Sequence, residues 1–330
     1  MARRAGDSTG RSRGYSRRAV MRGGGTAALA ALGGVALHGQ AVAKEGPRPA
    51  YSPAHEVDPY VPRPNPTQYD FSVEATTLDP DGQKAMPGVT VNSNFSGPEI
   101  RVHEGEQLRV LVQNRLNGHP TAIHWHGLLV PAGMDGVPDI SNAPIAPGQM
   151  YVYEYPIRQR GTYWYHSHVG FQEQVGLFGA FVIEGKDDPV RADHDAVVLL
   201  SDWLHRSPEE VFAELRGTSA GVAPAATAAA MSGMKMGGGM AAMGGGTDLS
   251  DIKYPSFLLN GSAPAKPWTL AARRGERNRL RIVNAAASTY FRVALDDHPL
   301  EVTHADGIAV QPVTVYHLEA GMAREFVYAT

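Results

Sequence analysis

Alternating apolar and polar residues mark a series of short segments in the first half of the chain. These segments are Glu99–Val102, Leu108–Gln113, Met150–Tyr155 and Ala180–Ile183. Glycine, proline and asparagine residues separate them, and an alternation with a period of two is typical of strands with one buried face. We therefore predict an all-β region from Tyr69 to about Glu184, folded as a sandwich or a barrel.

A second set of such segments runs from about Asp195 to the end of the chain. Its candidate strands are Ala196–Leu200, Phe257–Leu259, Arg279–Val283, Phe291–Leu295 and Glu325–Tyr328. One short surface helix is predicted over Arg206–Arg216. The polar run Lys186–Pro189 separates the two sets, so we predict a first domain over residues 67–187 and a second over residues 188–330.

One segment of the second domain has a different composition. Residues 217–247 are dominated by Ala, Gly and Met, which bury too little apolar surface to fold, so we expect a mobile insert. Thioethers are soft ligands that suit Cu(I), and copper binding is therefore predicted here, with an ordinary low-complexity linker as the alternative. The five methionines concerned are Met231, Met234, Met236, Met240 and Met243.

The first 43 residues resemble an export signal rather than part of a domain. They contain the pair Arg17-Arg18, a weakly apolar run over 26–37 and the small-residue sequence Ala41-Val42-Ala43. This order predicts a twin-arginine signal peptide and a periplasmic location; a disordered basic tail would not explain the apolar run. Residues 44–66, rich in proline and charge, are predicted to form a leader before the first domain.

Charge and cysteine content exclude several classes of function. Residues 1–43 carry a net charge of +6, whereas the whole chain carries −3. The residues after position 43 therefore carry about −9. Such an acidic chain is a poor partner for nucleic acid or an anionic membrane surface, and no later segment is long enough to span a bilayer. A blue-copper site requires a cysteine thiolate, and the chain contains no cysteine.

Two histidine pairs, His124-Trp125-His126 and His166-Ser167-His168, lie in similar strand-like contexts rich in Trp and Tyr. On a strand, side chains at i and i+2 share a face and lie about 7 Å apart. This spacing suits two imidazoles that serve two adjacent metal ions better than two that bind one ion. Imidazole ligands favour copper, zinc, iron or nickel, so we predict a metal centre at all four histidines. Polar residues at the end of a sheet are the alternative.

Acidic residues follow both histidine pairs. Asp135 lies nine residues after the first pair, where its carboxylate could supply protons to a metal site or orient a bound water. Asp135-Gly136 is equally an ordinary turn pair. Glu173 and Gln174 follow the second pair; we expect them on a solvated loop, with support of the metal ligands as the alternative.

These motifs resemble those of the multicopper oxidases. Residues 124–138 (HWHGLLVPAGMDGVP) are similar to the first copper motif of that family, and residues 161–168 (GTYWYHSH) to the second. The residues at 134–136 (MDG) and 171–174 (FQEQ) resemble those of the bacterial copper-resistance protein A subfamily. The resemblance continues through 202–203, the methionine-containing insert, 257–261 and 305–307, and covers nearly all of residues 60–330.

The resemblance implies tandem cupredoxin-like Greek-key β-sandwich domains and a cluster of type 2 and type 3 copper ions that reduces O₂. His124 would bind the type 2 copper, His126 and His166 one type 3 copper, and His168 the other. Asp135 would assist proton delivery. The methionine-rich insert would bind copper in the periplasm, and Cu(I) or phenol-like compounds would be the substrates.

The family's remaining motifs, His-x-x-His-x-His and His-Cys-His-x-x-x-His, do not occur in these residues. We therefore expect the chain to correspond to the first two of three domains, either truncated or completed by a partner chain. By itself it is not expected to turn over as an oxidase. A non-enzymatic periplasmic copper-binding protein and an inactive fragment are the alternatives.

Overall fold

Strands make up most of the regular structure of this protein. The computed structural model describes residues 66–216 and 252–320 and the backbone of 325–329. The predicted signal peptide, all of the leader except Pro66, and the methionine-rich insert lie outside the described residues. The strands are β1 (Thr67–Leu78), β2 (Met86–Val91), β3 (Ile100–His103), β4 (Gln107–Asn114), β5 (His124–His126), β6 (Met150–Pro156), β7 (Gly161–His166), β8 (Phe178–Glu184), β9 (His194–Trp203), β10 (Ser256–Leu259), β11 (Asn278–Asn284), β12 (Phe291–Val293), β13 (Leu300–Ala305), β14 (Ile308–Val315), β15 (Leu318–Ala320) and β16 (Glu325–Ala329).

Helical structure among the described residues is limited to two short elements. A 3₁₀ helix spans Ala132–Met134, and an α-helix, α1, spans Pro208–Leu215. Proline suits the first turn of a helix because an N–H group at that position would have no partner within the helix. The helix α1 begins at such a residue, Pro208, and lies within the predicted range. No helix in the described part of the chain is long and apolar enough to cross a membrane.

Eight strands of the first half form two facing sheets. One sheet has the order β2-β1-β4-β6 and the other the order β3-β8-β7-β5. Each strand sends alternate side chains between the sheets, as Leu108, Val110 and Val112 of β4 illustrate, and all three are fully buried. Trp125 and Tyr165 enter the same core from the opposite sheet. The result is a β-sandwich, as the alternating pattern predicts.

The second half forms a six-stranded sheet, β10-β9-β11-β16-β13-β14, and a two-stranded sheet, β12-β15. Apolar residues of β9, β11 and β13 pack against Leu318 and Ala320 of β15. The predicted all-β class is therefore confirmed in both halves. Strands β9 and β11 are parallel neighbours, with Val198 opposite Ile282. Their other face, which carries Val197, Leu199 and Val283, packs against the first sandwich.

Apolar side chains join the two halves. Trp164, Phe178, Ala180 and Val182 of β7 and β8 pack with Val197, Leu199, Val283 and Ala285 of the second half. The four residues of β7 and β8 lie on the outer face of the β3-β8-β7-β5 sheet. Because this face is covered as well as the inner one, β7 is buried along its whole length. The second sandwich therefore covers the back of the strand that leads to the second histidine pair.

Buried charge reinforces this contact. The Arg281 side chain is 2% exposed and donates two hydrogen bonds to Asp195, of 2.6 and 2.8 Å, and one of 2.9 Å to the Thr162 hydroxyl of β7. A bidentate pair of this kind is directional, and removal of one partner from a buried pair typically costs about 3–5 kcal/mol. The interaction therefore defines where β7 lies against β9 and β11.

A close backbone approach fixes a second point of contact. The turn between β13 and β14 packs against Gly161 at the start of β7, where a Cβ atom would lie 2.3 Å from the Gly307 carbonyl oxygen. Gly161 also has a φ of 139°, in the region that favours glycine. Any side chain at this position would push the turn away from β7.

The buried His304 of β13 makes the stability of the fold sensitive to acid. Burial lowers its pKa to about 4, and the neighbouring cations of Arg279 and Arg281 contribute. An unfolded histidine titrates near 6.5. Between pH 6.5 and 4 the unfolded chain therefore takes up a proton that the folded chain does not, and the free energy of unfolding falls as the pH falls.

We predict that His304→Gln removes a stability loss of roughly 3 kcal/mol between pH 6.5 and 4. Urea unfolding at a series of pH values measures the effect. His298→Gln, which changes an exposed histidine, is the matched control and should retain the wild-type pH dependence. Equal pH profiles for His304→Gln and wild type would contradict the prediction.

Candidate metal centre

The antiparallel pairing of β5 with β7 brings the two histidine pairs together. His124 lies opposite His166, Trp125 opposite Tyr165, and His126 opposite Trp164. Residues directly opposite one another in a sheet point to the same face. Because Trp125 and Tyr165 are buried in the first core, the histidines must point to the other face.

Three of the histidines form a compact group. One ring nitrogen from each of His124, His126 and His166 lies within 4.8 Å of the others. His126 Nδ1 and His166 Nε2 face one another at 3.2 Å. His168 follows the end of β7 and is exposed; its ring centroid is 5.5 Å from that of His124 and 5.8 Å from that of His166.

The facing nitrogens have a separation that suits a shared metal ion. Two imidazole nitrogens about 2.0–2.1 Å from one ion, at an angle of about 100°, lie roughly 3.2 Å apart. The same separation is compatible with an N–H···N hydrogen bond when one ring carries the proton. The residues therefore fit a metal ion between His126 and His166 with no change in the positions of these two nitrogens.

A backbone carbonyl orients His124. Its Nδ1 lies 2.7 Å from the Asp135 carbonyl oxygen, so Nδ1 is assigned as the donor and Nε2 is left free to bind metal. The Asp135 carboxylate is farther away, with Oδ1 3.4 Å from the same nitrogen. Gly136 allows this approach, because a Cβ atom there would lie 1.7 Å from the Ile123 carbonyl oxygen.

His166 is oriented by a carboxylate. Its Nδ1 lies 2.8 Å from Glu173 Oε2 and 3.0 Å from the Ser167 carbonyl oxygen. Both partners are acceptors, so Nδ1 is the donor and Nε2 is the nitrogen that faces His126. The expectation of a solvated loop at Glu173 is therefore wrong: the loop folds back, and Glu173 contacts the histidine that begins the second pair.

Gln172 holds this loop in place. Its side chain is buried, and its Oε1 accepts hydrogen bonds of 2.8 Å from the Thr121 and Ser167 hydroxyls. Its Nε2 donates a 2.8 Å bond to the Pro120 carbonyl oxygen. One amide thus links the segment before the first histidine pair to the residue inside the second.

Trp164 packs against two of the rings. Its ring centroid is 4.3 Å from that of His166 and 5.0 Å from that of His126, in stacked arrangements. Sequence reasoning did not single out Trp164 or Gln172. The period of two along β7 could have placed Trp164 beside His166, whereas no local pattern indicates the contacts of Gln172.

The electrostatic setting favours neutral imidazoles. Burial lowers the pKa of His126 to about 4, and the nearby His166 and His124 rings contribute. Burial also lowers the pKa of His124, although the hydrogen bond to Asp135 opposes this change. Near neutral pH both rings are therefore uncharged and have a lone pair available for a metal ion.

The structure brings together His124, His126 and His166 and places His168 beside them, with Asp135 behind His124. The five methionines predicted to bind copper lie outside the described residues. Among the residues that are described, the three-nitrogen group contains only imidazoles, a set of ligands that suits copper, zinc, iron or nickel.

Comparisons with known proteins narrow the choice among these four metals. Sequence profiles described as multicopper oxidase match residues 72–188 and 194–326, together more than half of the chain. Copper resistance protein A of Pseudomonas syringae pv. tomato is 38% identical over 79% of this chain and 45% of its own length. A multicopper oxidase of Mycobacterium tuberculosis is 36% identical over 74% of this chain and 48% of its own length.

Solved structures show the same similarity. A laccase from Botrytis aclada is 30% identical, with a TM-score of 0.62, and is matched over 80% of this chain and 47% of the laccase. The multicopper oxidase Fet3p has the same fold, with a TM-score of 0.66 at 24% identity, over 80% of this chain and 45% of Fet3p. The prediction of tandem cupredoxin-like domains is confirmed by these relatives. The chain spans about half the length of the two bacterial relatives described above, and it belongs to the multicopper oxidase family.

Proposed function

We propose that this chain supplies half of the copper cluster of a copper-resistance multicopper oxidase. The observation that carries the proposal is the 3.2 Å approach of His126 Nδ1 and His166 Nε2. These two nitrogens would bind one type 3 copper, His168 would bind the other, and His124 would bind the type 2 copper through Nε2. Copper is the metal of the family, and the neutral imidazoles suit it.

When bound, copper supplies the redox chemistry by which electrons from a substrate reach O₂. The chain's own residues orient and support the ligands. The Asp135 carbonyl holds the proton on His124 Nδ1, and the ring is thereby kept in one tautomer. The Asp135 carboxylate, with Oδ1 3.4 Å from that nitrogen, would assist proton delivery to O₂.

The whole protein is proposed to oxidise Cu(I) or phenol-like substrates in the periplasm. Residues 67–187 would form the first domain and residues 188–330 the second, with the remaining copper ligands supplied by a further domain or a partner chain. The similarity to copper resistance protein A and the paired arginines of the first 43 residues support this proposal. Copper ions and O₂ are the partners that it requires.

We predict that His126→Ala and His166→Ala each weaken Cu(II) binding at least about tenfold. Each substitution removes one of the two nitrogens that would bind the shared copper ion. Competition with a chelator of known affinity measures the change in the purified 330-residue chain. His103→Ala, which removes an exposed histidine of the same sandwich, is the matched control. If all three variants bind Cu(II) like wild type, the proposed site is wrong.

We predict that the methionine-rich insert binds Cu(I). Replacement of Met231, Met234, Met236, Met240 and Met243 with Leu keeps the apolar bulk but removes the thioether sulfur atoms. Cu(I) affinity, measured with a chelator selective for Cu(I), should fall at least about tenfold, because soft thioethers match the soft ion. Cu(II) binding at the histidines should not change. If the Cu(I) affinity is unchanged, the segment is a simple linker that does not bind copper.

We predict export through the twin-arginine route. The double substitution of Arg17 and Arg18 by Lys keeps the charge but removes the feature that the export receptor reads, so the precursor should accumulate in the cytoplasm. Fractionation of cells that express each form measures this. A matched control replaces Arg3 and Arg4 by Lys in the same basic region. Periplasmic delivery of both double variants would exclude the twin-arginine route.

A further inference from the structure

Glu173 is the carboxylate in the described part of the chain that makes direct contact with His166. Its Oε2 lies 2.8 Å from His166 Nδ1, and its side chain is 29% exposed. The other ring nitrogen, Nε2, faces His126. Because the two nitrogens of an imidazole ring point away from each other, Glu173 cannot share the ion proposed between His126 and His166.

The position of Glu173 is built into the loop rather than left to a flexible side chain. Its neighbour Gln172 is buried and bonded to Thr121, Ser167 and Pro120. The Glu173 carbonyl oxygen accepts a 3.1 Å bond from the Gly176 N–H. The residue before Glu173 is therefore tied to the segments that carry the histidine pairs, and Glu173 itself is held by a turn within its own loop.

We propose that Glu173 is a positioning residue that holds His166 with the proton on Nδ1 and directs the Nε2 lone pair towards the shared copper ion. The inference rests on the proposed function and adds a residue to it. The carboxylate also accepts a hydrogen bond from Nδ1–H, and Nε2 thereby becomes a more basic ligand. Glu173 itself does not bind the metal.

The surroundings of His166 show why a carboxylate is needed. Trp164 stacks on the ring at 4.3 Å, which limits tilting of the plane but does not choose between the two nitrogens. The Ser167 carbonyl oxygen, at 3.0 Å, is a neutral acceptor from an adjacent residue. Hydrogen bonds to charged acceptors are roughly twice as strong as neutral ones, so Glu173 contributes most to the choice of tautomer.

The experiment compares Glu173→Ala with Glu173→Gln in the full 330-residue chain. The Ala variant loses the acceptor, whereas the Gln variant keeps an acceptor oxygen but loses the charge. Cu(II) affinity by chelator competition should fall about 10–100-fold in Glu173→Ala and by a smaller factor in Glu173→Gln. Gln174→Ala, the next residue of the same loop, is the matched control and should bind Cu(II) like wild type.

A second readout uses the metal-free protein. Nitrogen-15 NMR of the histidine rings should show His166 as the Nδ1–H tautomer in wild type and in Glu173→Gln. In Glu173→Ala the signals should move towards a mixture of tautomers. A purely structural role for Glu173 would lower the melting temperature without changing the tautomer of a folded protein.

The outcomes separate the inference from the proposed function. Wild-type Cu(II) affinity in His126→Ala would refute the proposed copper site, and the metal-free NMR measurement would still decide the tautomer. If Glu173→Ala binds Cu(II) as tightly as wild type, or keeps the wild-type tautomer of His166, the inference is overturned. Weaker binding together with a changed tautomer, with Gln174→Ala unaffected, supports it.

Discussion

The pairing of β5 with β7 is the contact on which the rest of the candidate centre depends. Trp125 and Tyr165 lie opposite one another and fill the core of the first sandwich. Because strand side chains alternate between faces, a slip of one residue would send the histidines into the core and the aromatic rings out of it. Burial of two large aromatic side chains therefore selects the register in which His124 and His166 meet.

The second sandwich supports the centre from behind, although it contributes none of the three grouped histidines. Trp164 belongs to the apolar cluster between the halves and also stacks on His126 and His166. Arg281 links β7 to Asp195 through its Thr162 contact. Displacement of the second half would therefore loosen β7 and the rings that lie on it, so the two halves are coupled mechanically at this strand.

Strands place the imidazoles, but loops decide which nitrogen of each ring is free. The Asp135 carbonyl acts on His124, and Glu173 acts on His166. Gly136 and Gln172 bring these two loops close enough to do so. This division has a physical reason: strand geometry defines the direction of Cβ, whereas rotation of an imidazole ring is limited only by its neighbours and its hydrogen bonds.

The sequence by itself determined the strand class, the histidine pairs and the family, because each depends on local period or contiguous motif. Alternation along β4 and β7 is visible in the residues themselves, and both histidine pairs are continuous in the chain. Only the tertiary structure decided that His126 Nδ1 faces His166 Nε2 and that Glu173 contacts His166. It likewise decided that Gln172 reaches Thr121, which lies 51 residues away. Such contacts require the register of a sheet and the path of a loop, which are set by packing between distant segments and leave no periodic signal in the chain.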